Sequence, residues 1–123
     1  MKVAAICHGV VLAARSIAQN GKSVLFGRKT TALLKSQGLT AWAITCAWLG
    51  SYYRTYPVTV EDEVRASLAN PVDFLRGPLP LWRDSDDSLD PGFIVRDDNY
   101  ISGRWPGDAH RLATEFNLML RAN

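Results

Sequence analysis

The chain has 123 residues, of which 47% are hydrophobic and 21% are charged. This composition is ordinary for a globular protein with a buried core, and the length suits one domain at most, residues 1–123. The 14 basic and 12 acidic residues give a net charge of +2 without any long run of like charge. We therefore expect neither a nucleic-acid-binding tail nor a membrane-binding segment.

The two cysteines, Cys7 and Cys46, each lie in an apolar stretch. Two cysteines are too few for a disulfide scaffold, which favours a reducing compartment and predicts a cytoplasmic protein. Together with the two histidines they lack the spacing of a zinc site, so the sequence predicts no metal and no cofactor. The first 18 residues also resemble a short signal peptide, but His8 and Arg15 interrupt that pattern.

The first half of the chain predicts a strand, a turn and then helices. The apolar run Lys2–Cys7 is broken by Gly9, and residues 10–19 are expected to form a helix that stops at Asn20-Gly21. A second short strand is predicted at Ser23–Phe26. Residues 30–53 are predicted to be mostly helical, with Gly38 dividing them into two pieces.

The second half predicts a capped helix, a loop, a hairpin and a final helix. Thr59 is a suitable N-cap for a helix that runs to about Leu68. Residues 71–92 are rich in proline and aspartate, which is typical of a loop, and their acidic part is expected to be exposed and mobile. Residues 93–102 predict a hairpin that turns at Asp98-Asn99. The last helix begins at Pro106 and places Leu112, Phe116 and Met119 on one face.

The segment Ala5–Gly9 is the one with a chemical signature. A cysteine between a strand and a helix is pushed outward by the sharp turn, and its backbone is often strained there. The N–H groups of a helix starting at His8 would favour the thiolate of Cys7, and the His8 N–H could also donate to an oxyanion. The alternative is that Cys7 is a small buried hydrophobe, which is how we interpret Cys46.

Several stretches resemble the DJ-1/PfpI family, within the type 1 glutamine amidotransferase-like superfamily. Ala4–Gly9 is similar to the family's elbow around its reactive cysteine, and Gly21-Lys22 with Gly27–Leu33 is similar to the segment that follows the elbow helix. Val95–Ser102 and Arg104–Asp108 resemble the closing hairpin and the start of the last helix. The resemblance covers most of the chain.

This resemblance implies an α/β fold, part of a flavodoxin-like three-layer α/β/α sandwich with a C-terminal β-hairpin and helix, and commonly a dimer. It implies that Cys7 is the reactive residue, with His8 beside it. The family's cysteine is usually helped by an acidic residue from the N-terminal half, for which this chain has no match. The His-x-Glu pair of true glutamine amidotransferases is also missing, and His110 does not reproduce it. We therefore expect no glutaminase activity and interpret His110 as a helix-surface residue.

The position of the elbow strand leads to a further expectation. A strand of this type lies centrally in a parallel sheet, yet here it begins at Lys2, and few later strands are predicted. N-terminal strands are apparently missing, as in a truncated or split protein. The expected partner, besides a small-molecule substrate, is therefore a second copy of the chain or a complementing N-terminal half.

Three functions remain open at this point. The first is a cysteine-dependent enzyme of hydrolase, hydratase or glyoxalase type that acts on small carbonyl or amide substrates and is incomplete as this chain. The second is a non-catalytic redox-sensing or chaperone-like binding protein. The third is a structural subdomain without chemistry.

Arg28 and Arg104 are candidates for binding an anionic substrate, although single arginines usually face solvent. Aromatic residues could line a pocket, although core packing is favoured for them: Trp42, Trp48, Tyr52, Tyr53 and Tyr56.

Overall fold

A computed structural model describes residues 1–37 and 58–122 of the protein. Its sheet has three strands, β1 (Val3–Ile6), β2 (Ile94–Asp97) and β3 (Tyr100–Gly103), in the order β1-β3-β2. The central strand β3 runs parallel to β1 and antiparallel to β2. The fold is therefore mixed α/β, with the strand that precedes Cys7 at one edge of the described sheet.

Helices cover both faces of this sheet, which gives three layers. The helices α1 (Gly9–Arg15) and α2 (Val60–Ser67) pack on one face, and α3 (Ala109–Arg121) packs on the other. Side chains alternate between the faces of a strand, and β1 and β3 each contribute to both cores accordingly. In β3, Tyr100 joins the α1/α2 core, whereas the next residue, Ile101, joins the α3 core.

Several predicted elements are confirmed. The chain order of strand, turn and helix around Cys7 is present, and Thr59 caps α2 by accepting a hydrogen bond from the Asp62 N–H at 3.2 Å. The hairpin turns at Asp98, whose φ of 53° is the left-handed conformation that such a turn requires. A short 3₁₀ turn at Pro106–Asp108 leads into α3. Of the predicted helix face, Leu112 and Met119 are buried and Phe116 packs against them.

Other predictions about the first half were wrong. The helix predicted for residues 10–19 ends at Arg15, where the Ser16 hydroxyl donates to the Leu12 carbonyl and the backbone becomes extended. The strand predicted at residues 23–26 is absent: Ser23 makes only an isolated antiparallel bridge to Ile17, and residues 24–27 form turns. Of the helix predicted from residue 30 onward, residues 30–34 are not helical, and Thr30 forms a parallel bridge to Phe74, whereas residues 35–37 are helical as predicted.

The loop at residues 71–92 is irregular as predicted, apart from a 3₁₀ turn at Pro71–Asp73, but its acidic part is not uniformly exposed. The Asp84 side chain is buried, and its carboxylate accepts hydrogen bonds from the backbone N–H groups of His110 and Arg111, at 3.2 and 2.7 Å. A carboxylate at this position complements the unpaired N–H groups at the start of α3. Asp84 therefore ties the loop to that helix.

A buried ion pair fixes the other end of the same loop. Arg104 and Asp108 are both fully buried, and the Arg104 guanidinium donates to the two carboxylate oxygens of Asp108, at 3.0 and 3.1 Å. A further guanidinium N–H donates to the carbonyls of Arg76 and Pro78. The suggestion that Arg104 could bind an anionic substrate was wrong, because its charge is already neutralised inside the protein.

Candidate active site around Cys7

Cys7 lies directly at the carboxyl end of β1. Its backbone N–H donates to the Gly103 carbonyl at 3.1 Å, which continues the β1–β3 ladder by one hydrogen bond beyond Ile6. At the same residue the backbone turns into the left-handed region, with φ of 57°. A non-glycine residue in this conformation costs about 1–2 kcal/mol. The strained turn predicted for the cysteine is thus present, and α1 begins two residues later.

The thiol lies against its neighbour in the chain. Cys7 Sγ is 3.4 Å from Nδ1 of His8, so the two side chains predicted as the site are in contact. His8 is the N-cap residue of α1 and has helical backbone angles. Its side chain makes no capping hydrogen bond to that helix. Its ring is exposed and can therefore reach a molecule that approaches Cys7.

The protonation of the thiol differs from the sequence-based expectation. Burial raises the pKa of the Cys7 thiol above its ordinary value, and the backbone N–H of His8 lowers it only in part. The predicted effect of the His8 N–H on the thiolate is therefore present, but the larger effect of burial outweighs it. Desolvation disfavours the charged form, and α1 is only seven residues long, so its dipole is short.

The carboxylates that follow in the sequence are engaged elsewhere. The Asp62 carboxylate bonds to the Thr59 side chain and pairs with Lys35, and the Glu63 carboxylate pairs with Arg15 at 2.8 Å. Neither carboxylate contributes to the pKa shift of the Cys7 thiol.

Asp108 comes nearer to Cys7 in space than its sequence position suggests. Gly103, the residue bonded to Cys7, has the Asp108 Cβ about 3.5 Å from where its own Cβ would stand. The Asp108 carboxylate is nevertheless committed to Arg104. Sequence reasoning missed this carboxylate as a neighbour of the elbow, and the parallel pairing of β1 with β3 is what brings it there.

The remaining candidate residues lie away from Cys7. Arg28 donates to the Asn99 side chain at 2.9 Å and to the Asp97 carbonyl at 3.3 Å, beside the hairpin turn. That turn is at the start of β3 and Cys7 is beside its end, so the proposed role of Arg28 in binding substrate at Cys7 is not supported.

His110 lies at the start of α3, with its side chain 45% exposed, as expected for a surface residue, and its Nδ1 is 3.1 Å from Asp84. Among residues 1–37 and 58–122, no group of three or more histidine, cysteine and acidic side chains could hold a metal ion.

Three sequence predictions fall outside the described residues. They are the longer helical piece predicted between Gly38 and residue 53, the core position of Cys46, and the aromatic cluster, whose members all lie between positions 38 and 57. Within the described part of the chain, no helix combines the length and apolar character needed to cross a membrane.

An apolar groove of about 390 Å³ runs beside β1 and α1. Met1, Ala4, Leu12 and Val24 contribute to its lining, which also includes Gly9 but not Cys7. Leu12 is 76% exposed there although it is apolar. Among the described residues, this groove therefore lies beside β1 and is not a pocket over the thiol.

Comparison with known proteins places this arrangement in a structural class. No family model matches the sequence, and no curated protein matches it either. Solved structures do match. The 24 kDa Rapid Encystment Protein of Francisella tularensis has a TM-score of 0.69 at 17% identity. Glyoxalase III from Candida albicans has a TM-score of 0.63, also at 17% identity.

A third crystal structure, of a protein that carries a code in place of a descriptive name, has a TM-score of 0.69 at 24% identity. The three matches cover 96–98% of this chain but only 43–44% of each neighbour, so the chain spans less than half the length of these proteins. The protein thus has the α/β fold of DJ-1/PfpI-like structures, matched over part of their length.

Proposed function

We propose that the chain is a DJ-1/PfpI-type protein in which Cys7 is the reacting residue toward small carbonyl or amide compounds. The observation that carries this proposal is the conformation of Cys7, a non-glycine residue with φ of 57° at the carboxyl end of β1. Strained residues of this kind occur preferentially at functional sites, because they are retained against their energetic cost. The shared fold with a structure described as a glyoxalase adds support.

The chemistry proposed for Cys7 is addition of its sulfur to a carbonyl carbon. A bond forms between Sγ and carbon, the carbonyl π bond breaks, and the thiol proton moves to the carbonyl oxygen, giving a hemithioacetal from an aldehyde. His8 Nδ1, 3.4 Å from Sγ, is placed to relay that proton. The backbone N–H of His8 is the nearby donor for the developing oxyanion.

This site is not fully activated by the described residues. The thiol needs a group that favours its ionised form, and burial acts in the opposite direction here. We therefore propose that activation comes from an acidic group beyond these residues, and that the chain by itself turns over substrate slowly. Each missing catalytic element typically lowers a rate by about two orders of magnitude or more.

A covalent probe tests the role of Cys7 without requiring turnover. A small chloromethyl ketone presents a carbonyl, and a reactive thiol displaces its chloride to form a stable thioether. We expect Cys7 to be labelled faster than Cys46 in the folded protein, as read by peptide mass spectrometry. Cys7→Ser should abolish the fast label, whereas the matched control Cys46→Ser should retain it. Equal labelling of the two cysteines, or faster labelling of Cys46, would refute the assignment.

A non-catalytic role in oxidation sensing or chaperone-like binding is the second candidate. It requires less of the site than catalysis does, because a single oxidation of Cys7 needs neither an oxyanion donor nor a proton relay, although the raised pKa of the thiol slows oxidation as well. Hydrogen peroxide followed by a sulfenic-acid trap distinguishes the two. Trapped Cys7 in a protein without turnover supports the sensor, and an unmodified Cys7 argues against it.

A further inference from the structure

Trp105 lies at the same edge of the sheet as Cys7. The parallel ladder of β1 and β3 ends with the pair Ile6 and Gly103. The Cys7 N–H donates to the Gly103 carbonyl at 3.1 Å, which keeps the two chains together one residue further along. Neighbouring strands are about 4.8 Å apart and two residues span about 7 Å, so the Cα atoms of Cys7 and Trp105 are within about 10 Å of each other.

The indole ring of Trp105 is fixed by its surroundings. Its Nε1 edge packs on Gly107, where an added Cβ would stand 2.9 Å from Nε1 and closer still to two ring carbons, so only glycine leaves room for the ring. The Trp105 carbonyl accepts a hydrogen bond from the Asp108 N–H at 2.9 Å. The preceding residue, Arg104, is held by its buried ion pair with Asp108. The ring therefore cannot move aside without disturbing a closely packed segment.

This position holds a tryptophan although one of its polar atoms is unpaired. Nε1 of Trp105 is buried and has no hydrogen-bond partner among the described residues. A buried donor without an acceptor is unfavourable, and a phenylalanine ring would avoid that cost. Trp105 as a whole is only partly buried, so part of its ring remains at the surface. A large and rigid aromatic surface near the thiol is suited to contacting a molecule that reaches Cys7.

We propose that Trp105 is a specificity-determining residue of the Cys7 site, and that its indole limits the site to carbonyl compounds with small aliphatic substituents. The inference rests on the proposed function of Cys7. A compound that adds to the Cys7 sulfur brings the substituents of its carbonyl carbon close to the turn, where the His8 ring already lies 3.4 Å from Sγ. A methyl substituent fits beside the indole, whereas an aryl substituent would have to displace it.

Alkylation of Cys7 by two chloromethyl ketones of different size tests the proposal. Chloroacetone and phenacyl chloride react alike: a bond forms between Sγ and the methylene carbon, chloride leaves, and the thiol proton passes to water. Each rate at Cys7, read by peptide mass spectrometry, is divided by the rate of the same reagent with N-acetylcysteine to remove intrinsic reactivity. We expect the wild type to favour chloroacetone by at least about tenfold, and Trp105→Ala to lose most of this preference because phenacyl chloride reacts faster.

Two further variants complete the test. Phe26→Ala is the matched control, because Phe26 is a 43% exposed aromatic residue close in sequence to Arg28, which lies at the opposite end of β3, and the substitution should leave the preference unchanged. Trp105→Phe keeps the test decisive if Trp105→Ala fails to fold, since it retains a smaller ring on Gly107 and removes the unpaired N–H. Its preference should be intermediate.

A wild type without a preference for chloroacetone would overturn the inference, as would a preference that the folded Trp105 variants retain in full. Either result is distinguishable from failure of the proposed function. If that function fails, Cys7 is labelled no faster than Cys46 by either reagent. If only this inference fails, Cys7 remains the faster cysteine and the size of the ketone makes no difference that depends on Trp105.

Discussion

Removal of the Asp108 carboxylate is the perturbation for which the structure predicts the largest loss of stability. In Asp108→Ala the Arg104 guanidinium remains fully buried without its counter-charge. Two backbone donors also lose their acceptor, the N–H groups of Arg104 and Phe93, each at 2.9 Å from the carboxylate. Breaking a buried pair by deleting one partner typically costs about 3–5 kcal/mol.

A loss of that size is a large fraction of the total free energy of unfolding, which is about 5–15 kcal/mol for a domain. With a urea slope of about 2 kcal/mol per molar, the midpoint of unfolding should fall by about 2 M. Circular dichroism during urea titration measures this midpoint. The exposed pair of Lys35 and Asp62, 3.2 Å apart, provides the control, because Lys35→Ala should cost less than about 1 kcal/mol.

The reasoning is refuted if Asp108→Ala costs no more than the Lys35→Ala control. The two side chains would then be less tightly coupled than their burial indicates. A second readout connects the pair to the site, because Gly103 bonds to Cys7 and lies beside Asp108. We expect Cys7 to be alkylated faster in Asp108→Ala than in the wild type when both are folded.

Three further outcomes are expected. The alkylation rate of Cys7 should still be rising at a pH of about 9, because burial raises the pKa of its thiol; a plateau near neutral pH would contradict this. Thr59→Ala should lower the free energy of unfolding by about 1 kcal/mol through loss of the α2 cap, whereas Thr59→Ser should restore most of it. Burial also raises the pKa of the Tyr100 hydroxyl, which bonds to Thr30 at 2.8 Å. Folding therefore favours its neutral form, and stability should fall as the pH rises above about 10, the ordinary tyrosine pKa. Tyr100→Phe should reduce that alkaline loss in a urea titration repeated at several pH values.

Elements governed by local chemistry were the ones that the sequence predicted well. Aspartate and asparagine tolerate the left-handed conformation, so the pair Asp98-Asn99 between two apolar runs is by itself a hairpin signal. The structure has that conformation at Asp98. Thr59 caps α2 through a hydrogen bond to a residue three positions later. The position of Cys7 at the end of a strand also follows from a short run of neighbours, Lys2 to Gly9.

Features that depend on distant contacts were not predicted. Helix α1 ends at Arg15, and the chain then turns into the bridge between Ile17 and Ser23, which no local pattern predicts. Asp84 lies in an acidic stretch that looks exposed, yet its contact with the start of α3 buries it. The same limit applies to the thiol. Its location can be inferred from the sequence, but the pKa of Cys7 depends on how deeply the folded chain buries it.

The most direct test of the central claim is a turnover assay on the purified 123-residue chain, comparing the wild type with Cys7→Ser. Methylglyoxal consumption and amide hydrolysis should be followed near neutral pH, where the raised pKa of Cys7 keeps its thiol protonated. The account predicts that the wild type consumes substrate barely faster than Cys7→Ser. Robust turnover that is lost in Cys7→Ser would contradict it, because Cys7 would then be fully activated within this chain.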